Sequence, residues 1–194
     1  MIFTSEQVSC GHPDKICDQI SDAIVTDCLQ HDKLSRVAVE CLIKDYQVTI
    51  AGEITSSHLP NYELLTRTVL NRIGLPHVGR YQVRTIITQQ SPDIALGVDG
   101  NHGAGDQGMM FGYATDETPE MLPISFAVAT RALRVLREFS SALFLPDAKA
   151  QVSFDYDRWK ITSFLISTQH QADISVEELR PVVEAIMETA ASEH

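Results

Sequence analysis

The sequence predicts an α+β fold made of repeated sheet-and-helix units. Two observations predict it. The order helix, hairpin, helix occurs twice along the chain, and each hairpin is a pair of β-rich segments around a short polar turn. Residues 13–30 form the first helix, with Pro13 in a favoured first-turn position and Ile16, Ile20, Ile24 and Cys28 recurring at i+4 as one apolar stripe. Residues 36–43 and 47–54 pair across the Lys44-Asp45 turn. Residues 61–73 form a second helix, with Asn61 as N-cap and Gly74 as the stop. Residues 82–88 are a further strand.

The second repeat begins with a helix from Pro123 to about residue 144. Residues 150–156 and 159–168 form the hairpin across Asp157-Arg158. Residues 175–190 form the last helix, with Ser175 and Glu178 spaced as a capping box. No strand follows it, although the first repeat has one at that place. The repeats divide the chain at residues 1–101 and 102–194. The link over residues 91–108 is long, polar and rich in glycine, as mobile lids often are.

Composition narrows the function. A formal net charge of -11 argues against nucleic acid or an anionic membrane as the main partner. The four cysteines form no C-x-x-C, and no His or Cys pair has ligand spacing, so neither disulfides nor a zinc site is expected. The start lacks a basic region and a long apolar run, and no segment has the length of a membrane span. A reduced, cytoplasmic protein fits these features.

Several residues could carry chemistry. Gly11-His12-Pro13-Asp14-Lys15 stands at a helix start, where free backbone N–H groups favour anions. There His12 can donate to a phosphate, Asp14 can hold a hard cation such as Mg²⁺, and Lys15 adds a point charge. An ordinary solvated helix turn is the plainer reading. Asp147 and Lys149, two apart on a strand, share a face and could clamp a nucleotide's hydroxyls and phosphates, or form a surface ion pair. Glu40 and Glu53 sit in apolar strands and need either a cation or an edge position. Gln90 opens the long link. Asp106, ringed by glycines and followed by Met109, Met110, Phe111 and Tyr113, reads as a carboxylate against an apolar wall. Such a carboxylate needs an ammonium, a sulfonium or a metal to stay ionised. A Gly-rich turn before a core strand is the alternative.

Together these segments resemble S-adenosylmethionine synthase (methionine adenosyltransferase). The resemblance runs in order through Phe3-Thr-Ser-Glu6, Gly11-His-Pro-Asp-Lys15, Gly52-Glu-Ile-Thr55, Gln90-Ser-Pro-Asp-Ile94, Gly103-Ala-Gly-Asp-Gln-Gly-Met-Met-Phe-Gly-Tyr-Ala-Thr115, Pro146-Asp-Ala-Lys149 and Ser167-Thr-Gln-His170. It implies the family's sheet-and-helix fold, with two of its usual three repeats. It also implies transfer of the adenosyl group of ATP to the sulfur of methionine, with phosphate and pyrophosphate released. On that resemblance His12 and Lys149 act at the triphosphate, with Lys15 beside them, and Asp147 contacts the ribose. Glu53 and Gln90 hold methionine, and Asp106 faces the amino acid and the new sulfonium. Asp14 binds Mg²⁺ and Glu40 binds K⁺.

The chain departs from the family pattern in places. Members are longer and carry a third repeat with further cationic contacts to the triphosphate. Here Cys10 stands where many have Glu, Leu145 replaces a basic residue, and the loop over residues 91–102 is short for a family lid. The matched motifs offer only His12, Lys15 and Lys149 against about four phosphate charges. The expectation is therefore one subunit of a heteromeric synthase, completed by a related chain. The alternatives are a catalytically degenerate paralogue that regulates a full-length synthase, and a piece of a longer chain.

Overall fold

The computed structural model describes residues 1–98, 103, 105–139 and 143–192. The chain divides into two compact units. One holds Met1–Lys15, Ile73–Leu75 and Gly112–His194, and the other Ile16–Arg72 and Pro76–Phe111.

The first of these units is a three-stranded antiparallel sheet covered by helices. Its strands, β1 (Ile2–Val8), β5 (Phe144–Asp155) and β6 (Lys160–His170), lie in the order β1-β5-β6. Helices α4 (Ile124–Glu138) and α5 (Val176–Ala191) supply the core face. Val128, Ala129, Ala132, Ala150, Val152, Ile186 and Ala190 are wholly buried there. Small residues on α4 let the helix approach the sheet closely, while Phe144 and Phe154 fill the ends. The expected capping box forms: Ser175 accepts from the Glu178 N–H, and the Glu178 carboxylate accepts from the Ser175 N–H.

The opening strand was not legible. Ile2–Val8 carries polar residues on both faces and no apolar alternation. Hydroxyl pairs hold it instead: Thr4 with Ser153 at 2.8 Å and Ser5 with Ser125 at 2.7 Å. This sheet thus takes its third strand from the start of the chain, and that strand pairs with β5.

Two boundaries and one further element also differ from expectation. The helix expected to reach residue 144 ends at Glu138, and residues 140–142 lie outside the described part. Strand β5 starts at Phe144, not at 150, because a register shift between Phe144 and Ala148 accommodates Pro146. The link after residue 91 contains a helix, α3 (Pro92–Val98), with the Asp93 N–H donating to Ser91 Oγ.

The second unit holds the sheet β2 (Arg36–Lys44), β3 (Gln47–Thr55), β4 (Gln82–Thr88), in that order. The first pair is antiparallel and the second parallel, with α2 (Tyr62–Ile73) as the crossover. Helix α1 (Pro13–His31) buries the expected stripe of Ile16, Ile20, Ile24 and Cys28. Ser21 Oγ on that helix donates to Cys41 Sγ on β2 at 3.3 Å. Asn61 caps α2, accepting from the Leu64 N–H at 3.0 Å. Gly74 then takes φ +87, which a side chain would strain.

One polar contact in the first unit gives a pH prediction. The Tyr156 hydroxyl donates to Glu117 Oε2 at 2.6 Å, and that carboxylate also accepts from the Ile124 N–H at the start of α4. Burial, then Glu117, pushes the Tyr156 hydroxyl up to about 12. The Tyr156 bond, together with the Ile124 N–H and Thr115, holds Glu117 below its usual value. The raised tyrosine stabilises the fold below its unfolded pKa of about 10, and that contribution is lost as pH rises toward 12. The lowered glutamate stabilises above about 4.3, and its share is lost on further acidification. Tyr156→Phe is expected to cost about 1–2 kcal/mol at neutral pH and to flatten the alkaline limb. Urea midpoints measured across pH check both.

Candidate functional site

Two clusters collect the residues singled out in the sequence, one in each unit. In the first, the turn after β1 is fastened to the beginning of β5. The Ser9 N–H donates to the Ala148 carbonyl at 2.9 Å, and the Gly11 N–H to the Pro146 carbonyl at 3.2 Å. Ser9 Oγ donates to the Pro146 carbonyl at 2.6 Å and accepts from the Ala148 N–H at 2.7 Å. Gly11 is required here, because a Cβ would fall 2.4 Å from the Pro146 carbonyl carbon. This fastening brings Gly11-His12-Pro13-Asp14 beside Pro146-Asp147-Ala148-Lys149.

The side chains follow from that. His12 Nδ1 accepts from the Asp14 N–H at 3.2 Å, so the neutral ring carries its proton on Nε2, free of that role and able to donate. His12 is largely buried, and Asp14 is 91% exposed. Asp147 and Lys149 share the half-buried face of β5, while Ala148 and Ala150 face the core. Lys149 Nζ bonds Glu6 on β1 at 2.8 Å. Glu6 holds the Lys149 ammonium above its usual value, with Asp14 and Asp147 acting the same way from further off. Lys149 in turn holds Glu6 low. Lys15 sits half-buried in the first turn of α1.

In the second unit, Arg36, Val37, Ala38, Glu53, Gln90, Val98 and Gly105 line a cavity of about 290 Å³. Register explains the meeting: Glu53 stands opposite Ala38 on β2 and beside Thr88 on β4, and Gln90 follows two residues later. Arg36 Nε donates to Gln90 Oε1 at 3.0 Å, which orients the amide. Gly52 precedes Glu53 at φ +145, and a Cβ there would lie 2.0 Å from the Ala38 carbonyl oxygen. Arg36, as the first residue of a strand, and Glu6, inside a strand not foreseen, were both missed by the sequence reading. The matched Phe3-Thr-Ser-Glu6 segment was the available signal for Glu6.

Other candidates fall differently. Glu40 lies on the same sheet face as Glu53 but is exposed on the edge strand β2, opposite Ala51. Asp106 is also exposed and accepts from the next residue's N–H at 2.7 Å. The expected apolar wall is not formed, since Met109, Met110, Phe111 and Tyr113 are 78%, 90%, 89% and 73% exposed. That segment has no regular secondary structure, and among the described residues no helix or strand holds its side chains around the carboxylate. Of the link over residues 91–108, positions 99–102 and 104 lie outside the described residues, and with them the end of the 91–102 loop expected to be short.

Comparison with known proteins identifies the family of the two halves of the chain. Residues 1–92 match the model of the S-adenosylmethionine synthetase N-terminal domain, and residues 101–194 match that of the central domain. The fold is similar to that of an unusual S-adenosylmethionine synthetase from Campylobacter jejuni, with a TM-score of 0.85 and 31% identity. That match covers 98% of this chain and 54% of the other, so the chain spans about half the length of that relative. The chain belongs to the S-adenosylmethionine synthetase family.

Proposed function

We propose that this chain is one subunit of a heteromeric S-adenosylmethionine synthase, acting on ATP and L-methionine in the cytoplasm together with a related chain. The observation that carries the reading is the Glu6–Lys149 pair. On the phosphate side, Lys149 stands among the carboxylates Glu6, Asp14 and Asp147, with His12 and Lys15 at the start of α1 beside them in the chain. A leaving triphosphate of about four negative charges is not offset by two lysines when one of them is shared with a carboxylate. Further cations must come from elsewhere, and a related subunit is the simplest source. The open face of the β2-β3-β4 sheet offers such a chain an apolar surface, with Leu42 67% and Ile86 49% exposed.

In this reading residues 1–101 and 102–194 are the two repeats, and each contributes to both substrates. Glu53 and Gln90, set by Arg36, receive the methionine ammonium and carboxylate in the 290 Å³ cavity. Asp106 approaches the sulfonium from its exposed turn. A neutral thioether needs no general base, so the work is in-line positioning and charge compensation. The His12 Nε2 proton meets the departing oxygen, Lys149 and Lys15 meet the phosphates, and Asp147 holds the ribose. The exposed carboxylate of Asp14 suits Mg²⁺, which keeps waters and takes few protein ligands, and Glu40 offers a hard oxygen to K⁺. When bound, these ions would offset phosphate charge.

The Glu6–Lys149 pair also favours a second reading, a degenerate paralogue whose lysine has become structural. The two readings separate in one experiment. Turnover is measured with ATP, methionine, Mg²⁺ and K⁺, for this chain alone, for a related full-length chain, and for the two mixed. A synthase subunit gives little turnover alone and more in the mixture than the related chain gives by itself. Within the mixture Asp106→Asn and Lys149→Ala lower it. Activity indifferent to both substitutions establishes the regulatory reading, and high activity of this chain alone removes the need for a partner.

A further inference from the structure

The sequence gives no expectation of a zinc site, because no His or Cys pair has ligand spacing. The fold supplies a third residue from elsewhere. Asp27 and His31 stand one helical turn apart at the end of α1, and the segment after β3 brings His58 onto them. His58 Nε2 lies 2.7 Å from Asp27 Oδ2, and the two imidazoles stack with centroids 3.9 Å apart. One donor atom from each of the three residues lies within 4.8 Å of the other two. We propose that Asp27, His31 and His58 form a binding site for a borderline divalent cation of the zinc class, separate from the ions assigned to the synthase reaction.

Several observations carry it. Two imidazoles and one carboxylate select zinc-class ions over Mg²⁺ or K⁺. Tetrahedral ligation at about 2.1 Å places ligand atoms roughly 3.4 Å apart. His58 Nε2 is 2.7 Å from Asp27 Oδ2 and one donor atom of each residue lies within 4.8 Å of the other two, so the approach to that spacing is by side-chain rotation, with the backbone in place. The tautomer of His31 is set: the Asp27 main-chain carbonyl can only accept, so their 2.8 Å contact puts the proton on Nδ1 and leaves a lone pair on Nε2, which a turn of the ring presents to the ion. The segment carrying His58 is fixed too. Asp32 accepts from the Ser57 N–H at 2.8 Å and from Ser57 Oγ at 3.0 Å. Ser56 Oγ accepts from the His58 N–H at 3.0 Å and meets Ser35 Oγ at 2.7 Å. Asp27 also lines a cavity of about 380 Å³ between α1 and α2, which gives a water room to serve as a fourth ligand. The arriving cation takes the place of the proton between Asp27 and His58, which leaves to solvent.

The test uses the full chain with zinc alone, and with cobalt as a spectroscopic substitute. Calorimetry is expected to give one zinc per chain, with affinity falling at least about tenfold in His31→Gln and in His58→Gln. Cobalt is expected to give visible d–d bands without a near-ultraviolet sulfur charge-transfer band. No zinc binding, or affinity unchanged in both variants, overturns the site. If a variant does not fold, the cobalt spectrum of the unsubstituted chain still decides, because a sulfur band would place the ion on cysteine and refute the assignment.

Discussion

Replacing Gly11 with valine is expected to be the most damaging single change in the first unit. A Cβ at this position would lie 2.4 Å from both the carbonyl carbon and the Cβ of Pro146, and 2.5 Å from its oxygen. Two of those atoms are backbone, so no rotamer change relieves the overlap. The turn must move away from β5, which removes the Gly11 and Ser9 bonds to Pro146 and Ala148 together. A loss of about 3 kcal/mol or more is expected, from overpacking plus broken buried hydrogen bonds. For a chain of this size that lowers the thermal midpoint by roughly 10 °C. Gly79→Ala is the control, because nothing lies within 4 Å of its Cβ position. A calorimetric scan of both variants checks the contrast.

Lys149→Met is expected to show the largest loss of activity for the least loss of stability. Its ion pair with Glu6 joins side chains 41% and 47% exposed, where solvent screens the attraction, so removing it costs little stability. In the synthase proposed above, removing one charge donor from the leaving group is expected to lower kcat/KM by about 10²-fold. Glu6→Gln acts in the other direction. It leaves the lysine charge uncompensated by its nearest carboxylate, and is expected to lower the KM for ATP roughly threefold at low salt. Steady-state kinetics of both variants, beside their thermal midpoints, measure the separation. A Lys149→Met enzyme with normal kcat/KM would assign the lysine to structure alone.

How much of this was legible depended on whether a signal was local. The stripe of Ile16, Ile20, Ile24 and Cys28, the Asn61 cap and the Ser175–Glu178 box depend on residues within one or two turns of each other, and all three formed. The two polar turns placed both hairpins. Strand β1 was invisible because hydroxyl pairs with residues more than a hundred positions away replace the apolar alternation that marks a strand. Helix α3 did have a local signal, Ser91 as cap followed by Pro92 and Asp93, but the surrounding glycines read as loop. In the site, Asp147 and Lys149 could be placed on one face from strand geometry alone. The Lys149–Glu6 and Arg36–Gln90 contacts could not be, because each needs the sheet register or the chain reversal to be known first. The apolar wall of Asp106 failed for a related reason. Apolar residues beside a carboxylate in sequence shield it only when another element packs against them.

The pairing of β1 with β5 bears on how the chain is made. Ile2–Val8 leaves the ribosome long before Phe144–Asp155 exists. At ordinary elongation rates the interval is roughly 10–30 s. Throughout it the opening segment has no partner strand, while the β2-β3-β4 sheet can already close. Translation order thus makes the sheet that carries Lys149 the last to assemble, and the nascent chain must keep its first strand from annealing elsewhere until then.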